Sequence, residues 1–218
     1  MSDLFTRPIV LATANPKKVR ELRAIFAAVG LEIESLADLD TPTTEPNETG
    51  DTFQANATIK AVEYAKQTSR VCLADDSGLE VDAVGGAPGV ISSHYCTNGE
   101  ETGMTRDERD AANNSKLLRE LVDRPLEERT ARFVCVMVLA TPTGEVLAEA
   151  RGTFEGSIGL PNDVPRGSNG FGYDPLFLVA PDLQHTSAEL DADTKNTLSH
   201  RGKAARAMAE RIAALRST

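Results

Sequence analysis

Residues 8–29, PIVLATANPKKVRELRAIFAAV, decide the fold class. Pro8 to Thr13 is a short, almost continuous apolar run and reads as a buried strand. Asn15 and Pro16 follow, and then Val19, Leu22, Phe26 and Val29 recur at helical steps. Asn15 suits an N-cap, because its side-chain oxygen can take a free backbone N–H; Pro16 suits the first helical position, where a missing N–H costs nothing. Gly30 then ends the helix, and Leu31 to Leu36 reads as a second strand. Strand, tight turn, helix and strand in this order begin an α/β chain.

The same alternation continues outward. A turn-rich stretch from Asp38 to Gly50 leads to Thr52 and a helix through about Lys66. Val71 to Ala74 reads as a buried strand, with Asp75-Asp76-Ser77-Gly78 as a polar step just past its end. Gly85-Gly86-Ala87-Pro88-Gly89 reads as tight turns and Thr97 to Asp107 as an exposed loop. A helix is predicted over Arg109 to Val122. Arg129 to Ala140 and Glu145 to Phe154 read as neighbouring strands joined at Pro142-Thr143-Gly144, and Phe171 to Val179 as a further strand after a Gly-rich loop. The last helix carries Ala205, Met208, Ile212 and Leu215 on one face. No repeat or linker divides residues 1–218, which read as one α/β domain with a mixed central sheet flanked by helices.

The composition excludes several classes. The chain has 218 residues, 40% of them hydrophobic and 26% charged, which describes a globular protein. Its longest apolar run, Phe133 to Ala140, falls far short of the ~20 residues a bilayer span needs. The start, Met1 to Pro8, lacks the basic end and apolar stretch of a signal peptide, so the cytoplasm is the expected compartment and no membrane partner is expected. A net charge of −10 disfavours broad contact with a nucleic-acid backbone. It still permits a small polyphosphate, provided a few basic groups converge and a divalent cation offsets the carboxylates. Cys72, Cys96 and Cys135 are widely spaced and outside any C-x-x-C pattern, so neither a disulfide frame nor a zinc site is supported. Cys72 and Cys135, inside apolar runs, read as buried free thiols.

Polar groups cluster where elements begin or end. Thr13 to Lys18 lies at a strand-to-helix junction, where backbone N–H groups favour an anion, although capping with a solvated lysine pair explains it too. Glu45 and Glu48-Thr49-Gly50 precede the helix that carries Lys60. Asp75 and Asp76 are adjacent carboxylates that suit either a turn or a Mg²⁺ site with an activated water. Gly167 to Pro175 alternates flexible glycines with Phe171 and Tyr173, which could clamp a planar ring or belong to the core. Lys195, then Ser199-His200-Arg201, enter the last helix, and the arginine fork suits a carbonyl or phosphate.

Five ordered segments, LATANPKKVREL, ETGDTFQANATIKA, LADDSGLEVDAVGGAPGV, GFGYDPLF and SHRGKA, together resemble the inosine triphosphate pyrophosphatases, whose bacterial members hydrolyse ITP, dITP and XTP. The resemblance spans most of the chain. It implies two lobes around a substrate cleft, a homodimer and Mg²⁺ as cofactor. It also implies a triphosphate loop at Thr13, Asn15 and Lys18, with Lys60 and Lys195 as further phosphate partners. Asp76 matches the family's proton acceptor and metal ligand, Glu48 is the best match to the second metal carboxylate with Glu45 as the nearby alternative, and Asp75 beside Asp76 is a further metal carboxylate. Ser77 matches a substrate contact; Phe171, Gly172, Tyr173, Asp174, His200 and Arg201 match the base pocket. Three positions depart from the pattern: Ala14 stands for a common Gly, Ala55 for a Glu that would complete a capping box with Thr52, and Phe154 for a common Trp.

The implied reaction is Mg²⁺-dependent cleavage of a non-standard purine nucleoside triphosphate between its α and β phosphates. No Ser-His or Cys-His nucleophile pair is evident in the sequence. Two other readings remain beside it: a Maf-like nucleotide pyrophosphatase with another base preference, and a nucleotide-binding sensor without catalysis.

Overall fold

The computed structural model describes residues 5–217. Met1 to Leu4, part of the segment read for a leader, and Thr218 lie outside the described residues. Six strands form one sheet: β1 (Ile9–Leu11), β2 (Ile33–Ser35), β3 (Cys72–Val81), β4 (Thr130–Ala140), β5 (Val146–Ile158) and β6 (Phe177–Val179). Their order is β2-β1-β3-β4-β5-β6. β1 runs parallel to β2, with Ile9 opposite Ile33, and parallel to β3, with Val10 opposite Cys72, whereas β5 and β6 are antiparallel. The sheet is therefore mixed, as expected. Helices α1 (Pro16–Ala28), α2 (Phe53–Thr68), α3 (Arg106–Glu120), α4 (Ala192–Leu198) and α5 (His200–Arg216) complete the elements used below.

The chain divides into two compact units, and β3, β4 and β5 each contribute to both. The first comprises the chain through Asp76, Cys135–Gly152 and the chain from His200. Its core joins Ile9, Leu11, Leu73 and Met137 of the sheet to Leu22 and Phe26 of α1 and to Met208 and Ile212 of α5. Leu215 packs against this cluster, so the predicted face of the last helix is the buried one. Cys72 and Cys135 are buried free thiols here, and burial pushes the Cys72 thiol up to about 11.

The second unit comprises Ser77–Val134 and Thr153–Ser199. Its core centres on Phe177, whose ring lies 4.6 Å from Phe133 and 5.4 Å from Phe154 between centroids. Arg129 is wholly buried in this unit. Its guanidinium donates to the carbonyls of Arg124 and Gly159, both at 2.9 Å, and of Leu121 at 2.5 Å. It thereby gives a donor to two carbonyls just after the end of α3 and to one just after β5.

Four expectations change. Asp75 and Asp76 lie inside β3, not past a strand end, because basic side chains compensate each of them. α3 begins at Arg106 instead of Arg109, because Thr105 and Glu108 close a capping box: the Glu108 carboxylate accepts from Thr105 N–H at 2.9 Å. Of Phe171 to Val179 only the last three residues are strand. Gly170 and Gly172 have φ of +84° and +64°, and Asp174–Leu176 forms a 3₁₀ turn, so the earlier part cannot ladder. α4 and the 3₁₀ turns over Gly89–Thr97 went unpredicted.

Arg129→Ala would leave the Arg124 and Gly159 carbonyls without this donor and open a cavity, at a cost of about 3 kcal/mol. The urea midpoint, followed by circular dichroism, is expected to fall by about 1 M. Arg132→Ala removes an exposed guanidinium paired with Asp82, Glu80 and Glu155 and should cost under about 1 kcal/mol. Equal shifts for the two variants would show that the buried arginine does not hold the second unit together.

Candidate active site

Successive side chains of a strand point to opposite faces of its sheet. Asp75 shares the face of Leu73, which packs with α1 and α5; Asp76 shares the face of Cys72, whose sulfur lies 3.3 Å from Thr68 Oγ1 of α2. Each carboxylate accordingly meets a different set of cations, all within the first unit.

On the first face, Lys18 Nζ of α1 donates to Asp75 Oδ2 at 2.8 Å. Arg201 Nε of α5 approaches the same oxygen at 3.8 Å, and Arg201 Nη1 donates to Glu21 at 2.6 Å. Two cations thus face two acids. Burial disfavours the Asp75 charge, but Lys18, Arg201 and Lys60 outweigh it and hold the carboxyl well below the usual range. Burial likewise works against the Arg201 charge, and Glu21 and Asp75 more than restore it. Glu21 was not anticipated from sequence; its place one turn after Lys18 on α1 was the available signal.

On the second face the balance differs. Lys60 Nζ of α2 donates to Asp76 Oδ1 and to Glu48 Oε2, each at 2.9 Å. Lys60 is held charged: burial opposes the ammonium, and Asp76 and Glu48 overcome it. Asp76 has only a share of that cation, so burial, opposed by Lys60 and reinforced by Glu48, raises its carboxyl above the ordinary value. Glu48 is therefore the acid that meets Asp76 through Lys60, while Glu45 lines a cavity with Tyr64. That cavity, of about 690 Å³, borders Thr13 and Ala14 but has neither Asp76 nor Lys60 in its wall.

The loop after β1 is ordered by its own side chains. Thr13 Oγ1 accepts from Asn15 N–H at 3.2 Å, and Asn15 Oδ1 caps α1 by accepting from Lys17 N–H at 3.0 Å and Lys18 N–H at 3.4 Å. The cap aims Lys18, in the first turn, at β3. Thr52 caps α2 in the same way, accepting from Ala55 N–H at 3.1 Å, without the reciprocal bond a Glu at position 55 would add. Buried Asn56, also missed from sequence, accepts from Gly50 N–H at 2.8 Å and ties down the segment that carries Glu48.

Mg²⁺ is the cofactor implied, and its fit rests on one atom. Asp76 Oδ2 is buried with no hydrogen-bond partner among the described residues, leaving a hard oxygen available beside Glu48. Among the described residues no group of three His, Cys, Asp or Glu side chains converges to hold a metal, and Asp75, expected with Asp76, is engaged on the opposite face. Two carboxylates suffice for Mg²⁺, which takes its remaining ligands from water and substrate phosphates.

The other predicted residues lie mostly in the second unit. Asp174 Oδ2 accepts from Phe171 N–H at 2.9 Å and from Lys195 Nζ at 2.7 Å, and Oδ1 accepts from Ser187 at 2.7 Å. A Cβ on Gly170 would lie 2.1 Å from Asp174 Oδ2, so only glycine fits there. Tyr173 is a core residue whose hydroxyl donates to the Ser92 carbonyl at 2.8 Å. Phe171 is partly exposed, and Ser77 follows Asp76 within β3. His200 is buried in the first turn of α5, in the first unit, next to Arg201. Arg201, expected at the base, is paired with Glu21 and approaches Asp75.

Comparison with known proteins places this geometry. The family model described as Ham1 family matches residues 9–211. A protein of Exiguobacterium sibiricum named dITP/XTP pyrophosphatase is 51% identical over 197 residues, covering 90% of this chain and 92% of that protein. One of the same name from Nitratidesulfovibrio vulgaris is 50% identical over 203 residues, 93% and 94% of the two chains. The solved Ham1 protein of Staphylococcus aureus superposes with a TM-score of 0.79 at 36% identity, over 96% of this chain and 100% of its own. A Mycobacterium abscessus structure titled nucleoside-triphosphatase / dITP/XTP pyrophosphatase gives 0.71 at 42% identity, over 93% and 97%. A match over nearly the whole chain and half of its residues means that this chain belongs to the Ham1 family.

Proposed function

We propose that this chain is a Mg²⁺-dependent dITP/XTP pyrophosphatase, which hydrolyses non-standard purine nucleoside triphosphates to the monophosphate and pyrophosphate. The observation that carries this reading is the buried, unpartnered Asp76 Oδ2 beside Lys60 and Glu48, in a chain half identical to proteins of that name.

The first unit supplies the groups for phosphates. Lys18 and Lys60 are fixed cations, and the N-terminus of α1 behind Asn15 adds backbone N–H groups and a favourable dipole end. Asp76 and Glu48 would hold the metal, which when bound offsets the negative charge of the phosphate oxygens. Asp76 also takes the proton of a water aimed at the α-phosphorus; the bond from that phosphorus to the α,β-bridging oxygen breaks and pyrophosphate leaves. No covalent intermediate on the protein is needed. The burial that raises Asp76 suits this task, since a better base is one whose charged form is less comfortable. Lys60 opposes that rise. In the second unit, Phe171, Gly172 and Asp174, with Lys195 on the Asp174 carboxylate, are the residues assigned to base selection.

Pyrophosphate release from dITP, ITP, XTP, GTP and ATP, with Mg²⁺ and with excess chelator, tests the function. Release should be faster for dITP, ITP and XTP than for ATP by at least about a hundredfold in kcat/KM and should vanish in chelator. A preference for other bases would favour the Maf-like reading, and binding without turnover the sensor. Lys18→Ala should lower kcat/KM for ITP and ATP together by about ten- to hundredfold, because a phosphate contact is common to both. A loss confined to ITP would assign Lys18 to the base instead.

A further inference from the structure

Helix α3 carries three polar side chains at successive turns, Arg106, Asp110 and Asn114, and all three reach the Phe171-Gly172 segment. Asp110 Oδ2 accepts from Gly172 N–H at 3.0 Å, and Asn114 Nδ2 donates to the Gly172 carbonyl at 3.1 Å. The Arg106 guanidinium lies 4.9 Å from the centroid of the Phe171 ring, within cation–π range. One helix therefore holds both backbone polar groups of a glycine and one face of the neighbouring aromatic ring. Spacing of four residues puts the three side chains on one stripe of α3.

A loop with glycines at 167, 170 and 172, all at positive φ, has little stiffness of its own. Asp174 fixes only its Phe171 N–H. Asn169 anchors the loop before Phe171, through Ala188 and Leu190, and α3 holds the turn at Gly172 and bears on one face of the Phe171 ring. Asn114 makes this contact at a cost, because its Oδ1 is buried with no hydrogen-bond partner among the described residues. An alanine would avoid that cost, so what the asparagine adds is the bond to Gly172.

We propose that Arg106, Asp110 and Asn114 are positioning residues for base selection: they fix the Phe171 ring and the Gly172 peptide where the purine of the triphosphate is received. This rests on the base-selecting role given above to Phe171 and Gly172. Stacking on an aromatic ring accepts any purine, so discrimination needs polar groups at a fixed distance from the purine edge. A displacement of the loop by about 1 Å is enough to lose most of that discrimination.

The test compares kcat and KM for dITP, XTP and ATP in wild type, Asp110→Ala, Asp110→Asn, Asn114→Ala and Arg106→Leu. Asp110→Ala and Asn114→Ala should raise KM for dITP and XTP and narrow the dITP-to-ATP preference about tenfold, with kcat changed less than about threefold. Asp110→Asn retains an oxygen that can accept from Gly172 N–H and should keep the preference within about twofold. Should Asp110→Ala fold poorly, Arg106→Leu, at the exposed start of α3, is expected to narrow the preference about threefold. Equal losses for all three triphosphates would make the contacts merely structural and overturn the proposal. Wild-type protein that releases no pyrophosphate from dITP or XTP would refute the function and this role together. Wild-type protein that discriminates, with variants that discriminate equally well, would refute this role alone.

Discussion

Two consecutive buried carboxylates on one interior strand are the constraint that the rest of the first unit must satisfy. An isolated ionised carboxylate inside a protein is prohibitively costly, so each needs a cation within hydrogen-bond reach. Because β3 turns Asp75 and Asp76 to opposite faces, one cation cannot serve both. α1 and α5 bring Lys18 and Arg201 to one face, and α2 brings Lys60 to the other. The caps at Asn15 and Thr52 set where these helices begin, and so place Lys18 and Lys60.

The two faces are balanced differently, and under the proposed function that difference separates stability from chemistry. Around Asp75, Lys18 and Arg201 stand against Asp75 and Glu21, a neutral set with complementary hydrogen bonds. Around Asp76, Lys60 is the one cation in hydrogen-bond contact among the described residues, shared between Asp76 and Glu48, so those direct contacts leave one negative charge in excess, with Lys18 acting from farther off. A neutral buried set is a structural device. A set one charge short is incomplete until a cation joins it, and the unpartnered Oδ2 of Asp76 is where that incompleteness is exposed. The second unit repeats the principle on a loop, where Asp174 gathers Phe171 N–H, Ser187 and Lys195.

What could be read from sequence was mostly local. Asn15 and Pro16 announce the start of α1 because capping depends on residues within one turn, and the buried face of α5 follows from spacing alone. Asp75 and Asp76 read as a polar step just past a strand end because aspartate is a poor strand residue on its own. The partners that reverse this lie far off in the chain, Lys18 and Asp75 being 57 positions apart, and local patterns do not register them. Phe171 to Val179 looked like a strand for the converse reason: its apolar residues suit one, while the contacts from α3 that hold Gly172 in a turn are non-local. The charged positions themselves were legible, but their division between two sheet faces was not. That division follows only once β3 is known to run through them.

The central claim is that Asp75 stabilises the fold while Asp76 performs the chemistry. Urea unfolding and pyrophosphate release from dITP, measured on Asp75→Asn and Asp76→Asn side by side, test it most directly. Asp75→Asn removes one member of a balanced buried set and should lose about 3 kcal/mol of stability. Asp76→Asn removes the excess negative charge, so it should unfold at the wild-type urea concentration or above it while losing at least about a hundredfold in turnover. Wild-type turnover in Asp76→Asn, or the same loss of stability in both variants, would contradict the account.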